Sequence, residues 1–397
     1  QDQISEFIGL PFAIENFEKQ INTKKKLFTN EQRNRIANVL EDNYEKLSGN
    51  ELALAQISLL KEENTYTVTT GHQLCLFGGP LYFFIKIIHT IRLSEVLKEH
   101  YPDYNFVPIF WMASEDHDSA EIQSLNIFGK DVTWNHEQEG AVGKFNTQSL
   151  TEVKDQLLGL FRSQKGTELD KYLSAMEGNT YGAAFKSWVH HLFGEMGLLV
   201  LDADQQELKK QIIPLFKKEI FENFSNECIE KTNQKLLQEK RTPQIYSRKI
   251  NVFYMEKEKR VRIVENTAGD YEAGEISFSK DELIALLNEH PNRFSPNVAL
   301  RPILQELLLP NLCYIGGMAE LKYWSQLKAV FESCNLPFPI LQLRSNLLWI
   351  DKNAHQRMTQ LGLTIEELFE QTEQLQKKML AQSDTNPIDI CLLYTSD

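Results

Sequence analysis

The sequence contains no Cys-x-x-Cys pair, and its five cysteines are scattered along 397 residues. That excludes a zinc ribbon or a disulfide-stapled scaffold and predicts reduced thiols in a cytoplasmic setting. No apolar run is long enough to span a bilayer, so no membrane partner is expected. Positive charge is scarce: 42 Lys and Arg stand against 55 Asp and Glu, a net charge of −13. An acidic chain argues against nucleic-acid binding, whose affinity comes largely from neutralising phosphates. It leaves room for a small anion held by a few arginines. The opening residues QDQISEF have neither the regions of a signal peptide nor an initiator Met. There is no P-loop and no GxGxxG fingerprint. What remains, 42% hydrophobic and 24% charged residues, is ordinary globular protein, long enough for several structural units and a large core.

The chain is organised around Thr69 to Lys86, TTGHQLCLFGGPLYFFIK. Before it, Tyr66 to Thr70 has the β-branched and aromatic make-up of a short buried strand. After it, Pro80 opens a segment with apolar residues at helical spacing, and proline suits a first helical position. Gly71, Gly78 and Gly79 lie between. A glycine-bearing loop running from a strand into a helix is where α/β proteins bind phosphate or carboxylate. Thr70, His72 and Gln73 would face the same crevice. The competing reading is a tight connection whose glycines serve backbone geometry alone.

Residues 1–65 read as a helical region packed on the core, with a capping box at Thr29 to Gln32 and an apolar face at Ile36, Val39, Leu40 and Leu47. Tyr104 to Trp111 is the next strand. Pro108 within it favours an edge or a bulge. The strand ends in Ser114, Glu115, Asp116, His117 and Asp118, the layout of a site at the carboxyl end of a parallel sheet. A solvated loop with a helix N-cap is the alternative. These acidic residues are adjacent, point in different directions and lack distant partners, so no tightly bound metal is expected. Residues 119–195 form an insertion, with a strand over Ile127 to Trp134 and a helix over Thr151 to Phe161. The pair His190 and His191 reads as partly buried core. Gly197 to Asp204 is a third strand ending in carboxylates, followed by a helix over Gln205 to Phe216. A second insertion covers 220–295, with a hairpin at Ile250 to Tyr254 and Arg260 to Val264 joined by the turn EKEK, and a capping box at Ser279 to Glu282.

The second chemical cluster spans Asn297 to Trp324. Arg301, Gln305 and Glu306 have helix-compatible spacing. A strand over Leu309 to Ile315, carrying Tyr314, gives way to Gly316 and Gly317, with Glu320 and Tyr323 early in the next helix. This repeats the strand, glycine, helix layout of the first cluster. Phe338 to Leu343 is the last core strand, ending at Arg344. The core thus covers 66–350 as a parallel-sheet α/β domain. Residues 351–390 carry a capping box at Thr364 to Glu367 and a 3-4-3-4 spacing of Ile365, Leu368, Thr372, Leu375 and Met379. That spacing fits the start of a coiled coil or an ordinary amphipathic helix. The last residues, 391–397, break the pattern and read as a non-native tail, so Cys391 is given no function.

The stretches TGHQ with LFGGPLYF (Thr70 to Phe83), VPIFWMASEDHD (Val107 to Asp118), VLDAD (Val200 to Asp204), NVALRPILQELLLPN and YIGGMAELKYW (Asn297 to Trp324) resemble the BshC family. A cysteine-ligase role in bacillithiol biosynthesis is ascribed to that family. The resemblance spans most of the chain. It implies a Rossmann-like core similar to nucleotidylyltransferases and class I synthetases, interrupted by insertions, and a C-terminal coiled coil that supports a homodimer and is largely missing here. The implied reaction joins cysteine to glucosaminyl malate. A carboxylate does not acylate an amine unaided, so ATP with magnesium is implied as activator, through an acyl-adenylate or acyl-phosphate. Relatives with TGQQ at the His72 position favour hydrogen bonding there over obligatory proton transfer.

On this reading Asp116, His117, Asp118 and His72 are the catalytic candidates, one of the first three deprotonating the glucosamine amine. Thr70, Gly71, Gln73, Gly78, Gly79, Tyr82 and Lys86 in the first cluster bind substrate or nucleotide. So do Ser114 and Glu115, and Arg301, Gln305, Glu306, Tyr314, Gly316, Gly317, Glu320, Tyr323 and Arg344. Arg301 and Arg344 suit the malate carboxylates, because guanidinium binds them bidentately. The other readings are a nucleotidylyltransferase acting on a sugar or cofactor precursor, and a scaffold with a dead core. The clustering of carboxylates at strand ends argues against the scaffold.

Overall fold

The computed structural model describes residues 6–127, 129–256 and 259–382. Its central element is β1 (Thr65–His72), buried along almost all its length. Tyr66 and Val68 pack with Leu93, Leu97 and Leu312 in one apolar cluster. On the other face Thr67 and Thr69 donate hydroxyls to Asn311 Oδ1 at 3.3 and 2.8 Å, which satisfies polar atoms that burial would otherwise penalise. Both faces of β1 are buried, so the threonines that alternate with Tyr66 and Val68 find their partners inside the protein.

Among the described residues twelve strands form three sheets. β1 is the middle of a five-stranded parallel sheet with β2 (Asn105–Met112), β5 (Leu199–Asp202), β11 (Asn311–Gly316) and β12 (Ile340–Leu343), in the order β12-β11-β1-β2-β5. From β1 the chain crosses through a 19-residue helix, Tyr82–His100, to β2 on one side. It later returns on the other side as β11. The strand order therefore reverses between β1 and β11, and the crevice outside their carboxyl ends is where such sheets bind ligands. A short hairpin pairs β3 (Ser124–Ile127) with β4 (Lys130–Thr133). A second, antiparallel sheet has the order β10-β6-β7-β8-β9, from β6 (Val252–Glu256), β7 (Lys259–Glu265), β8 (Tyr271–Ala273), β9 (Ile276–Phe278) and β10 (Phe294–Pro296). Lys257 and Glu258 of the expected EKEK turn lie outside the described residues.

The helices α1 (Asn16–Lys25), α2 (Asn30–Tyr44) and α3 (Glu51–Leu60) precede β1. The capping boxes at Thr29 and Ser279 are both made. α1 is tied to the core by a buried ion pair, Lys24 Nζ to Glu306 Oε2 at 2.8 Å. Asn311 Nδ2 donates to the other carboxylate oxygen of Glu306 at 2.6 Å. His190 is buried and meets the Tyr44 ring edge-on. No helix among the described residues is long and apolar enough to cross a membrane.

Several elements depart from expectation for local reasons. Pro108 lies in an interior strand, not an edge. The β5 ladder begins one residue later, at Ile109, so at Pro108 only β1 borders the chain. The strand expected over Ile127 to Trp134 is instead the β3-β4 hairpin, because Gly129 at φ 76° lets the chain reverse. The helix after β5 is two, Gln206–Gln211 and Ile213–Glu222, with Pro214 interrupting the hydrogen-bond ladder. The long helix starts at Tyr82, with Pro80 before it accepting from Phe83 N through its carbonyl.

The chain divides after Ser345 into two units. In the second, Asp351 caps a helix over Lys352–Leu361 that Gly362 ends at φ 64°. Thr364 and Glu367 exchange their capping bonds, yet they cap only a 3-10 turn, Glu366–Phe369. Glu370 is extended, and a new helix runs over Thr372–Gln382. The expected seam is therefore broken: Ile365 and Leu368 do not continue the helix that carries Leu375 and Met379. Residues 383–397, including the expected tail, lie outside the described residues.

Candidate active site

A cavity of about 700 Å³ opens at the carboxyl ends of β1 and β11. One side is built by Gly71, His72 and Gln73 at the end of β1, Trp111 at the end of β2, and Glu115 and Asp116 beyond it. Tyr314, Glu320, Tyr323 and Arg301 form a second side. The third is the second sheet, with Phe253, Arg260 and Arg262. The segments 70–73, 114–118 and 316–320 thus converge at one end of one sheet, as their common position after strands predicts.

Lys86 reaches from the long helix to the β1 end. Its Nζ donates to the Gly71 carbonyl and to Glu320 Oε2 at 2.7 Å. Burial lowers the lysine pKa, against the pull of Glu320. Glu320 also accepts from Tyr314 Oη and from Gly317 N, both at 2.7 Å. Burial raises its pKa, but Lys86 and the Gly317 N–H outweigh that and hold it below the usual carboxylate value. His72 sits beside this pair. Burial, then the Lys86 charge, push its pKa down to about 4, so it is neutral near pH 7. Its unfolded value is near 6.5, so the unfolded chain binds the extra proton between pH 6.5 and 4. Stability is therefore whole above pH 6.5 and falls, by on the order of 3 kcal/mol, as pH drops to 4. His72→Gln cannot titrate. It should lose less stability than wild type between pH 7 and pH 4.5 in urea midpoints; equal losses would contradict the buried neutral histidine.

The acidic loop is held from beneath. Gln73 Nε2 donates to Asp116 Oδ2 at 2.9 Å and to Glu121 at 2.7 Å. His117 N donates to Asp116 Oδ1 at 2.8 Å. Burial raises the Asp116 pKa, but these bonds and Arg260 bring it below its ordinary value. Glu115 pairs with Lys209, a fully buried lysine that also contacts Asp204 at 2.6 Å. Burial raises Glu115, with Lys209 opposing. The loop backbone is pinned by the first insertion: Val142 N donates to the Asp116 carbonyl at 2.7 Å and Gly143 N to the Ser114 carbonyl at 2.9 Å. A Cβ on Gly143 would stand 2.6 Å from Ser114 Cβ and 2.9 Å from its carbonyl oxygen. Gly143→Ala should cost about 1–3 kcal/mol of stability by overpacking. It should also lower turnover by roughly 10²-fold through displacement of Asp116. Denaturant unfolding and single-turnover kinetics check both; normal turnover would show that the loop tolerates the shift.

Arg260 is braced, Nε to Ser295 Oγ at 3.1 Å and Nη2 to the Pro296 carbonyl at 2.6 Å, and lies over the Phe253 ring at 4.2 Å. Arg301 sits in an aromatic box, its Cζ 5.4–5.7 Å from the ring centroids of Trp111, Tyr314 and Trp324. Its Nη1 donates to Gln305 Oε1 at 3.1 Å, Tyr323 lies beside the guanidinium, and its buried Nη2 has no hydrogen-bond partner among the described residues.

A family model described as "Bacillithiol biosynthesis BshC, N-terminal Rossmann-like domain" matches residues 1–345. The chain belongs to the BshC family. It is 40% identical over 382 residues to the "Putative cysteine ligase BshC" of Flavobacterium johnsoniae, covering 95% of this chain and 72% of that one. The protein of the same name from Christiangramia forsetii is 42% identical over 396 residues, 96% of this chain and 73% of that one. One from Bacillus cereus is 29% identical over 376 residues, 89% and 68% of the two chains.

Not every residue expected from the family pattern reaches the cavity. Gly78 and Gly79 are not a cradle. They have φ 83° and 40°, and a Cβ would stand 2.5 Å from Phe84 and 2.8 Å from Cys75, so they are glycines for packing and backbone conformation. Thr70 donates to the Ile315 carbonyl at 2.8 Å and ties β1 to β11. Ser114 donates to Asp202 Oδ1. Gly316 and Gly317 lie behind Tyr314 and Glu320, where Gly317 caps the helix. Gln305 bridges Arg301 to Glu306, and Glu306 is spent on Lys24. Arg344 stacks on Tyr82, Cζ 3.4 Å from the ring centroid, and neither residue lines the cavity. His117 accepts from Arg260 Nη1 at 3.2 Å with its side chain 48% exposed; it and Asp118 also fall outside the lining.

The sequence reading missed the second sheet as a wall. Its signal is the alternation in Lys259 to Glu265, where Val261 and Ile263 face the core and Arg260 and Arg262 the cavity. Arg248 and Tyr246, from the second insertion, also line the cavity.

Proposed function

We propose that this chain is the catalytic core of a ligase that joins the carboxylate of cysteine to the amine of glucosaminyl malate, with ATP as activator. One observation carries the reading. In a chain of net charge −13, the cavity is lined by Lys86, Arg248, Arg260, Arg262 and Arg301 against Glu115, Asp116 and Glu320. A cationic cavity in an acidic protein suits anionic substrates, and the name of the relatives, cysteine ligase, supports cysteine as one of them.

In this reading Arg301 takes the cysteine carboxylate, since its planar fork is desolvated and has an unpartnered nitrogen. Asp116 receives the substrate ammonium and takes its proton. Arg260, fixed by Ser295 and Pro296, faces the nucleotide phosphates. ATP, with magnesium on its phosphates, supplies the leaving group that a free carboxylate lacks. His72, neutral, orients by hydrogen bonding and takes no part in proton transfer. Mass spectrometry of a reaction with cysteine, glucosaminyl malate and ATP tests this. The expected product is the amide, absent when any substrate is omitted. Pyrophosphate release that ignores cysteine would replace the ligase with a nucleotidylyltransferase.

A further inference from the structure

Two guanidinium groups on the cavity wall are unengaged. Arg248 and Arg262 line the cavity and are exposed, and no side-chain hydrogen bond or ion pair of either occurs among the described residues. The other cavity cations each have at least one partner within the protein: Lys86 has Glu320, Arg260 has Ser295 and Pro296, and Arg301 has Gln305 through Nη1. The acids have theirs too, Glu115 in Lys209 and Asp116 in Gln73. Among the described residues no carboxylate pairs with either arginine, although the chain carries excess negative charge.

Their setting defines a ligand. Arg262 is the cross-strand partner of Phe253, so the two side chains share a face, and the Phe253 ring also lines the cavity. Arg260 is two residues back on that face, roughly 7 Å along the strand. Its Nη1 lies 3.9 Å from Asp116 Oδ1. Arg262 and Asp116 thus line one cavity, with Arg260 between them along the strand. Two guanidinium forks beside an aromatic ring in one cavity suit a ligand with two carboxylates, because each fork can bind one bidentately.

We propose that Arg248 and Arg262 recognise the two carboxylates of the malate group of the acceptor, which turns its amine inward to Asp116; this rests on the ligase reading above. The assignment moves the malate carboxylates from Arg301 and Arg344 to the rim of the second sheet. Arg344, stacked on Tyr82, lies outside the cavity lining.

The test is calorimetric titration of the chain with glucosaminyl malate, with L-malate, and with ATP. Wild type is compared with Arg248→Ala, Arg262→Ala, the double variant, and Lys249→Ala. Lys249 is a surface charge control that pairs with Glu265 and does not line the cavity. Both arginines are exposed, so the variants should fold. Each single change should weaken glucosaminyl malate by roughly tenfold and the pair by more, with ATP and the control unchanged. Added salt should weaken wild type more than the double variant. Wild type that binds glucosaminyl malate while the double variant binds equally well overturns the assignment and leaves the ligase standing. Loss of ATP binding instead makes the wall a phosphate site and also overturns it. Wild type that binds no glucosaminyl malate and forms no amide removes the ligase reading and the assignment with it.

Discussion

Asp116→Asn should lower turnover by roughly 10²–10⁴-fold, the usual contribution of a positioned acid or base. The Michaelis constant for cysteine should change little, because the cysteine carboxylate is assigned to Arg301. The substitution preserves shape but not charge. Asp116 accepts at both oxygens, from His117 N at 2.8 Å and from Gln73 Nε2 at 2.9 Å. The amide nitrogen of the introduced asparagine must face one of these donors. Gln73 cannot simply flip to accommodate it, since its amide nitrogen also donates to Glu121 at 2.7 Å. The cost in stability should be modest, on the order of 1–3 kcal/mol. Steady-state kinetics of Asp116→Asn beside Glu115→Gln decides the role. Full turnover in the first with loss in the second would make Glu115, whose pKa burial raises, the base instead.

Arg301→Ala should weaken cysteine binding by about 2–5 kcal/mol, the range for a desolvated charge pair that loses one partner. That is roughly 30- to 4,000-fold in Kd. The guanidinium is held between Trp111, Tyr314 and Trp324 by cation–π contacts, and the planar fork has one nitrogen left for a ligand. Arg301→Lys should restore little, because an ammonium lacks both the planar stack and the bidentate geometry. Titration with cysteine in the presence of ATP measures this. If Lys restores wild-type affinity, Arg301 acts as a bulk charge, and the proposed bidentate contact fails.

The sequence by itself determined the strands that end in chemistry. β-branched residues before Gly71, the apolar run before Ser114 and the apolar run up to Gly316 and Gly317 are local patterns, and they mark where β1, β2 and β11 stop. Capping boxes at Thr29 and Ser279 were likewise legible, because both partners lie within one turn. Which residues of those loops face a ligand was decided only by tertiary packing. Gly78 and Gly79 look like a phosphate loop until Phe84 and Cys75 fill the space against them. Glu306 looks like a site acid until Lys24, 282 positions earlier in the chain, is buried against it. The third wall of the cavity comes from a sheet whose strands lie more than a hundred residues from β1 and β2 in sequence. Local periodicity shows that Arg260 and Arg262 share a face. Only the docking of that face opposite the ends of β1 and β11 makes it part of a site, because contacts between distant segments leave no spacing along the chain to be read.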